Sequence, residues 1–358
     1  MENNDQNPGN YFKGRGAQVN PHNHFLKNDY VKEHAEGIDD WESEDEKTTF
    51  IFGKSRSIVN KVESPDVGML YSLNPYQGCE HGCTYCYARN VHEYWGFSAG
   101  MDFERKIIVK KEAPELFKTF LERKNWDASV ISLSGNTDCY QPAERQFKIT
   151  RQLLEIALKY KQPIGIITKN ALVLRDKDIL QEMAKLNLCM VYVSMNSMNE
   201  KLRLAMEPRT TTAKQRLKIV EELSGLGIPT GVMVAPIVPG LNDTEIPLIL
   251  KTIANCGAQK AGYTVVRLNG AIGGIFEDWL RKNYPDRFDK VWHMIQSCHG
   301  GNVNDSRFDM RMRGEGNIAK LISDTFKLHC KINQLNTKEI KLDSSQFEVP
   351  RQQMRLFL

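Results

Sequence analysis

The segment 164–193 begins with Ile164-Gly165-Ile166-Ile167-Thr168 and ends with Cys189-Met190-Val191-Tyr192-Val193, two short apolar runs with an amphipathic stretch at 175–186 between them. Runs of this length, rich in β-branched residues, read as buried strands, and a helical period between two of them reads as a crossover, so the segment is a βαβ unit. Strands joined in that way lie parallel. The same alternation extends in both directions. Towards the amino terminus, 130–133 (VISL) and 69–73 read as strands, and Phe147, Ile149, Leu153, Ile156 and Tyr160 follow a 3.6-residue period that predicts a helix over 144–160. Towards the carboxyl terminus, Thr212 and Gln215 have capping-box spacing ahead of a helix striped by Leu217, Val220, Leu223 and Leu226 and ended by Gly227. A strand over 229–236 follows, then a helix capped by Asn242 or Asp243 with Pro247 in its first turn, then a last strand over 263–268. Six strands alternating with helices predict an α/β fold: a parallel sheet covered by helices, either open or curled into a barrel. Either form places chemistry beyond the carboxyl ends of the strands.

Length and composition bound the rest. A chain of 358 residues has room for one large α/β domain, expected over 48–270, with a polar arm over 1–47 and a helical extension over 271–358. The arm carries few aliphatic residues and an acid-rich run from Glu33 to Glu46, so it is expected to be disordered or laid over the domain. Apolar residues make up 41% and charged residues 26%, and no stretch approaches the roughly 18 apolar residues that span a bilayer. The start, MENNDQNPGN, has neither a basic nor an apolar signal region, which argues for the cytoplasm. A net charge of +4 permits a nucleic-acid partner without predicting one. Arg311, Arg313, Lys320 and Lys327 are the cations that would meet phosphates, unless they form a solvated face.

Eight cysteines divide into a cluster of three and five scattered ones, Cys139, Cys189, Cys256, Cys298 and Cys330, which read as small core residues. The cluster, Cys79-Glu-His-Gly-Cys83-Thr-Tyr-Cys86, lies in the loop after the first strand. Thiolates suit iron–sulfur clusters or zinc, and three of them leave one iron of a four-iron cluster open to a further ligand. The alternative is a Cys3His zinc site completed by His81 or His92. No second CxxC stands elsewhere in the chain to build a zinc knuckle.

The CxxxCxxC spacing resembles the signature of the radical S-adenosylmethionine (radical SAM) superfamily. From about 47 to 269 the chain resembles the group related to spore photoproduct lyase, often labelled DNA repair photolyase-like. The matching pieces are NPYQGCEHGCTYCYAR, SGNTDCYQPAE, ITKNALVLRD, VSMNS and APIVPGLND, with GRGAQVNPHNHF, RGEGN and the closing QMRLFL outside the domain. The resemblance implies a partial (β/α)6 barrel and a 4Fe–4S cluster on Cys79, Cys83 and Cys86. It also implies bound S-adenosylmethionine and an electron donor of reductase, flavodoxin or ferredoxin type. It assigns Tyr85 to the adenine, the loop Asn136-Thr137-Asp138 to the methionine amino group, and Lys169 to the carboxylate. Ser194 and Asn196 go to the ribose, and Arg209 is a second carboxylate candidate. Gly227-Ile228-Pro229 resembles a turn whose backbone flanks adenine. One departure matters: where spore photoproduct lyases carry a hydrogen-donating cysteine, this chain has Gly135, and Cys139 is offered as the donor instead. His81 and Trp95 are given no role. The expected function is radical generation for hydrogen abstraction from a substrate. The alternatives are repair or modification of nucleic acid, or a non-catalytic nucleic-acid-binding protein with a structural metal.

Overall fold

A computed structural model describes residues 12–25 and 47–350. Among these, seven strands form the main sheet: β1 (Val59–Lys61), β2 (Tyr71–Leu73), β3 (Ile131–Leu133), β4 (Ile164–Thr168), β5 (Cys189–Ser194), β6 (Thr230–Ile237) and β7 (Lys260–Val265). Their spatial order follows the chain from β7 back to β1, and every pair from β2 to β7 is parallel. Only the edge strand β1 runs antiparallel, on β2. Leu73, Leu133, Ile166 and Val191 stand in register across four strands, and all four are buried. Six parallel strands wound in chain order, with helices in the crossovers, form the partial (β/α)6 barrel.

The helices bury the faces that their periodicity marks. Ile149–Lys159 turns Ile149, Leu153, Leu154 and Ala157 inward, and Ala213–Gly225 begins at Thr212, whose hydroxyl accepts from Gln215 N at 3.3 Å. Such a cap contributes about 1 kcal/mol. Three sequence expectations shift. The helix over 144–160 is two helices, because Lys148 adopts a left-handed φ of 52° and the buried Glu144 carboxylate restarts the chain by accepting from Thr150 N and Arg151 N. Asn242 does not cap its helix: its amide donates to Asn196 O and Pro236 O and accepts from Val238 N, tying the ends of β5 and β6 together. The last strand starts and ends three residues early, since Val266 and Leu268 are buried by the following helices and not by the sheet.

A second, three-stranded sheet lies against the cysteine loop: Thr49–Phe52 pairs with Lys106–Val109, which pairs with Tyr76–Gln77. Of the amino-terminal arm, residues 12–25 are described, and the acid-rich run lies outside the described residues, as does QMRLFL. Beyond β7, helices Ile272–Asn283 and Phe288–Ser297 enclose a separate apolar core around Phe276 and Trp279. Helix Gly316–Ile332 packs on Ile246–Asn255. Segment 336–348 then crosses the amino-terminal side of the sheet. Asn336 exchanges two hydrogen bonds with Ala261, Asp343 N donates to Asn187 O, and Glu348 N donates to Tyr160 O.

Two of the cations considered for phosphates are engaged otherwise. Arg311 is forked onto the buried Asp66 at 2.5 and 2.7 Å, and Arg313 lies over the Tyr263 ring at 4.2 Å and donates to Tyr263 O. Lys320 and Lys327 are exposed on the last helix. Among the described residues no helix is long and apolar enough to cross a membrane.

Candidate active site

The cysteine loop begins where Tyr76–Gln77 ends, and backbone bonds hold it on all sides. Cys79 N donates to Phe103 O, Thr84 N to Met206 O, and Arg209 N to His81 O. Gln141 bridges from the loop after β3, accepting from Glu80 N and donating to Gly78 O. Gly78 and Gly82 hold left-handed φ values of 78° and 67°, and a side chain at Gly78 would meet two backbone carbonyls near 3 Å, so the loop can turn this tightly only on glycine. Cys79 and Cys83 are buried and Cys86 is half-buried, and all three are free thiols. Burial raises the pKa of each, and the neighbouring thiols add to this for Cys79 and Cys83. The compensating cations are Lys169 and Arg216 for Cys83 and Arg89 for Cys86.

Arg89 organises the underside of the loop. Its fully buried guanidinium donates to the carbonyls of Cys83, Ala99 and Gly100 and pairs with Glu104 at 2.6 Å. The same Glu104 carboxylate accepts from Gly16 N at 3.1 Å and Ala17 N at 2.8 Å, so the described part of the arm lies across the cysteine loop. The contact is backbone on backbone: a Cβ at Gly16 would stand 1.6 Å from Gly82 O. Ser98 Oγ and Asn23 Nδ2 add further bonds between arm and loop.

The two histidines of the zinc alternative are held elsewhere, His81 by Asn170 and Asp138 and His92 between two phenylalanine rings. Asn170 Oδ1 accepts from Leu172 N, which turns its amide nitrogen towards His81 Nε2 at 3.2 Å. Nε2 therefore accepts, Nδ1 carries the proton, and it faces Asp138 Oδ2 at 3.4 Å. His92 lies between Phe97 and Phe103, with both ring nitrogens buried and unpartnered among the described residues. Burial lowers its pKa to about 4 from the ordinary 6.5. Between those values the unfolded chain takes up a proton that the folded chain refuses, so stability present above pH 6.5 is lost as pH falls to 4. The full loss from this group is about 3 kcal/mol. Chemical denaturation at pH 7 and pH 4.5 should show His92→Leu losing less stability on acidification than the parent protein. An equal loss in both would exclude His92 as the cause.

The strand ends supply the other candidates. Asp138 is fully engaged: Oδ1 accepts from Tyr140 N and Thr168 Oγ1, and Oδ2 accepts from Lys169 N. Thr137 donates to Tyr76 O and is buried. These bonds fix the loop after β3 to its neighbours. Asn136 remains half-exposed, its amide nitrogen donating to Gln77 and its carbonyl oxygen uncommitted among the described residues. The Lys169 ammonium is held in its charged form despite burial by Cys83, Glu207 and Asp138. Tyr85 donates to Glu207, which pairs with Arg216 at 2.5 Å, both buried completely. Ser194 ends β5 and Asn196 follows it, and both are buried; Asn196 Oδ1 has no hydrogen-bond partner among the described residues. Arg209 lies 3.8 Å from Glu80 and lines a recess of about 390 Å³ with Arg145 and Thr211. Cys139 is fully buried in the main apolar core, its amide donating to Ser134 and its carbonyl accepting from Thr150.

Glu207, Arg216, Arg89 and Glu104 escaped the sequence reading. Glu207 precedes Pro208 in the piece from which Arg209 was chosen, and a paired carboxylate there needs a second cation one turn into the capped helix, which Arg216 provides.

A family model described as the Radical SAM superfamily matches residues 73–253, just over half of the chain. An uncharacterized protein of Mycobacterium tuberculosis is 32% identical over 236 residues, covering 64% of this chain and 69% of that protein. Another, from Methanocaldococcus jannaschii, is 28% identical over 238 residues, covering 66% and 85%. Among solved structures, spore photoproduct lyase superposes with a TM-score of 0.55 over 84% of this chain and 85% of its own, at 15% identity, a likeness of fold. A second structure of that lyase, with bound AdoMet and dinucleoside spore photoproduct, gives 0.53 over 79% of each chain. With the family model spanning the cysteine loop and the strands from β2 to β6, the chain belongs to the radical SAM superfamily of enzymes, whose cofactors are a 4Fe–4S cluster and S-adenosylmethionine.

Proposed function

We propose that Cys79, Cys83 and Cys86 ligate the cluster, and that this enzyme cleaves S-adenosylmethionine reductively to abstract hydrogen from a substrate held at the carboxyl ends of the strands. One observation carries the reading: three thiols, two of them buried, stand on a tightly bonded loop with the half-buried Lys169 ammonium held charged beside Cys83. The donor set fits the group, since thiolates are the usual cluster ligands and three leave one iron open. The bound cofactors supply an electron and, from the sulfonium, a 5′-deoxyadenosyl radical.

The chain's own residues bind, orient and exclude water. Lys169 offers a charge-assisted bond to a carboxylate, Asn136 a carbonyl to an ammonium, and Asn196 an acceptor to a ribose hydroxyl. Tyr85, pinned through its hydroxyl to Glu207, presents a fixed ring for adenine to lie against. The electron comes from a partner of the flavodoxin or ferredoxin type.

Anaerobic purification and metal analysis test this reading. About four irons per chain, with 5′-deoxyadenosine released on reduction, supports it. Stoichiometric zinc and no release of 5′-deoxyadenosine overturns it. Lys169→Ala is expected to keep its iron and bind S-adenosylmethionine about thirtyfold more weakly, the loss of one charged hydydrogen bond of about 2 kcal/mol. Unchanged affinity in equilibrium dialysis would remove Lys169 from the site.

A further inference from the structure

A groove of about 410 Å³ opens beside the cysteine loop, lined by Phe25 of the arm, by Tyr87, Asn90 and Tyr94 of the segment after Cys86, and by Arg267 and Asn269 beyond β7. Its volume is that of a small-molecule site. Two features set it apart from ordinary surface. First, its aromatic rings are open to solvent: Phe25 is 48% exposed, Tyr87 48% and Tyr94 72%, with the Phe25 and Tyr94 centroids 4.5 Å apart. Second, the half-buried Arg267 guanidinium has no hydrogen bond or ion pair among the described residues. The nearby acid, Asp66, is taken by Arg311, and the Tyr87 hydroxyl is spent on Gly135 O. A cation partly removed from water without an anion is costly, and a site that keeps one is built to receive one.

From these we infer that the groove is the substrate subsite of this enzyme and takes a planar ring that carries an oxyanion. The ring lies against Phe25 and Tyr94, and the oxyanion is forked by Arg267. A flat ring suits an exposed aromatic face, and a guanidinium suits phosphate or carboxylate through two parallel bonds. Phosphate and carboxylate are the two sources of that oxyanion. The subsite rests on the proposed radical chemistry only for its position, since Tyr87 directly follows Cys86 and Arg267 lies two residues past β7.

Binding is measured by isothermal titration on the full chain, with and without its cluster, using two probes. Deoxycytidine 5′-monophosphate offers a planar ring and a phosphate, and N-acetyl-L-tryptophan offers an indole ring and a carboxylate; deoxycytidine is the control without an anion. The expected result is saturable binding of one probe, weakened at least about tenfold by Arg267→Gln and also weakened by Tyr94→Ala, with deoxycytidine binding no better to the parent than to Arg267→Gln. The probe that binds identifies the oxyanion. Thermal unfolding shows that both variants are folded, and Tyr94 is exposed enough to be changed without cost to the core. Binding of neither probe, or binding indifferent to both substitutions, overturns the subsite. If the chain releases 5′-deoxyadenosine but binds neither probe, the subsite alone fails. If a probe binds as expected but no 5′-deoxyadenosine is released, the radical reading fails and the subsite stands.

Discussion

Alanine at Cys79, Cys83 or Cys86, introduced singly, is expected to bring 5′-deoxyadenosine release below about 1% of the parent rate, a loss of about 3 kcal/mol or more in transition-state stabilisation. Three thiols are the whole set offered by the loop, and neither His81 nor His92 stands ready to replace one, because the first is held by Asn170 and Asp138 and the second lies among phenylalanines. Two thiolates would leave two irons open and no defined chelation site. The scattered thiols set the comparison. Cys256→Ala, at a half-buried position remote from the loop in sequence, should retain iron and activity. Iron content by atomic emission and product by chromatography decide the matter, and a loop variant with full iron and rate would sink the ligand assignment.

The second large effect concerns the arm. In Gly16→Val the new side chain must displace Gly82 O, a backbone atom that cannot swing aside, so residues 12–25 are expected to lift from the loop. The cluster should then bleach in air at least about tenfold faster, since the water-excluding cover is gone. Glu104→Gln attacks the same seam from below, leaving Arg89 buried beside a neutral amide. Breaking a fully buried pair costs about 3–5 kcal/mol, so a lower unfolding midpoint should accompany the faster bleaching. The decay of visible absorption after exposure to air measures the rate. If Gly16→Val bleaches no faster than the parent, the arm does not shield the loop.

The parallel sheet was legible because its strands are fully buried and read as continuous apolar runs, with helical stripes between them. The break at Lys148 was not legible, because it depends on Glu144 reaching forward to the amides of Thr150 and Arg151, a local choice that leaves the hydrophobic period intact. The cysteine motif announced the donor atoms, and Lys169 stood out by following a strand. Asp138 is ambiguous in the sequence for a physical reason: an acid after a strand can face a ligand or staple neighbouring loops, and here it accepts from three donors of its neighbours. Cys139 reads either way in the sequence, since its burial in the main core is set by long-range packing that no motif records. Glu104 could not have been found, because its partners Arg89, Ala17 and Gly16 stand 15, 87 and 88 residues before it and none forms a motif with it.

Segment 336–348, which crosses the amino-terminal side of the sheet, bears on the order in which the molecule assembles. Its anchors reach back 75 residues to Ala261, 156 to Asn187 and 188 to Tyr160 (336 − 261, 343 − 187, 348 − 160). Contacts of such long sequence separation form late, because the loop entropy is spent before they repay it. During synthesis, the cysteine loop and the strands from β2 to β6 all leave the ribosome before this brace exists. The floor of the barrel is therefore completed after the site at its top can already be assembled, so a nascent chain can gather its thiols while its sheet is still free to adjust.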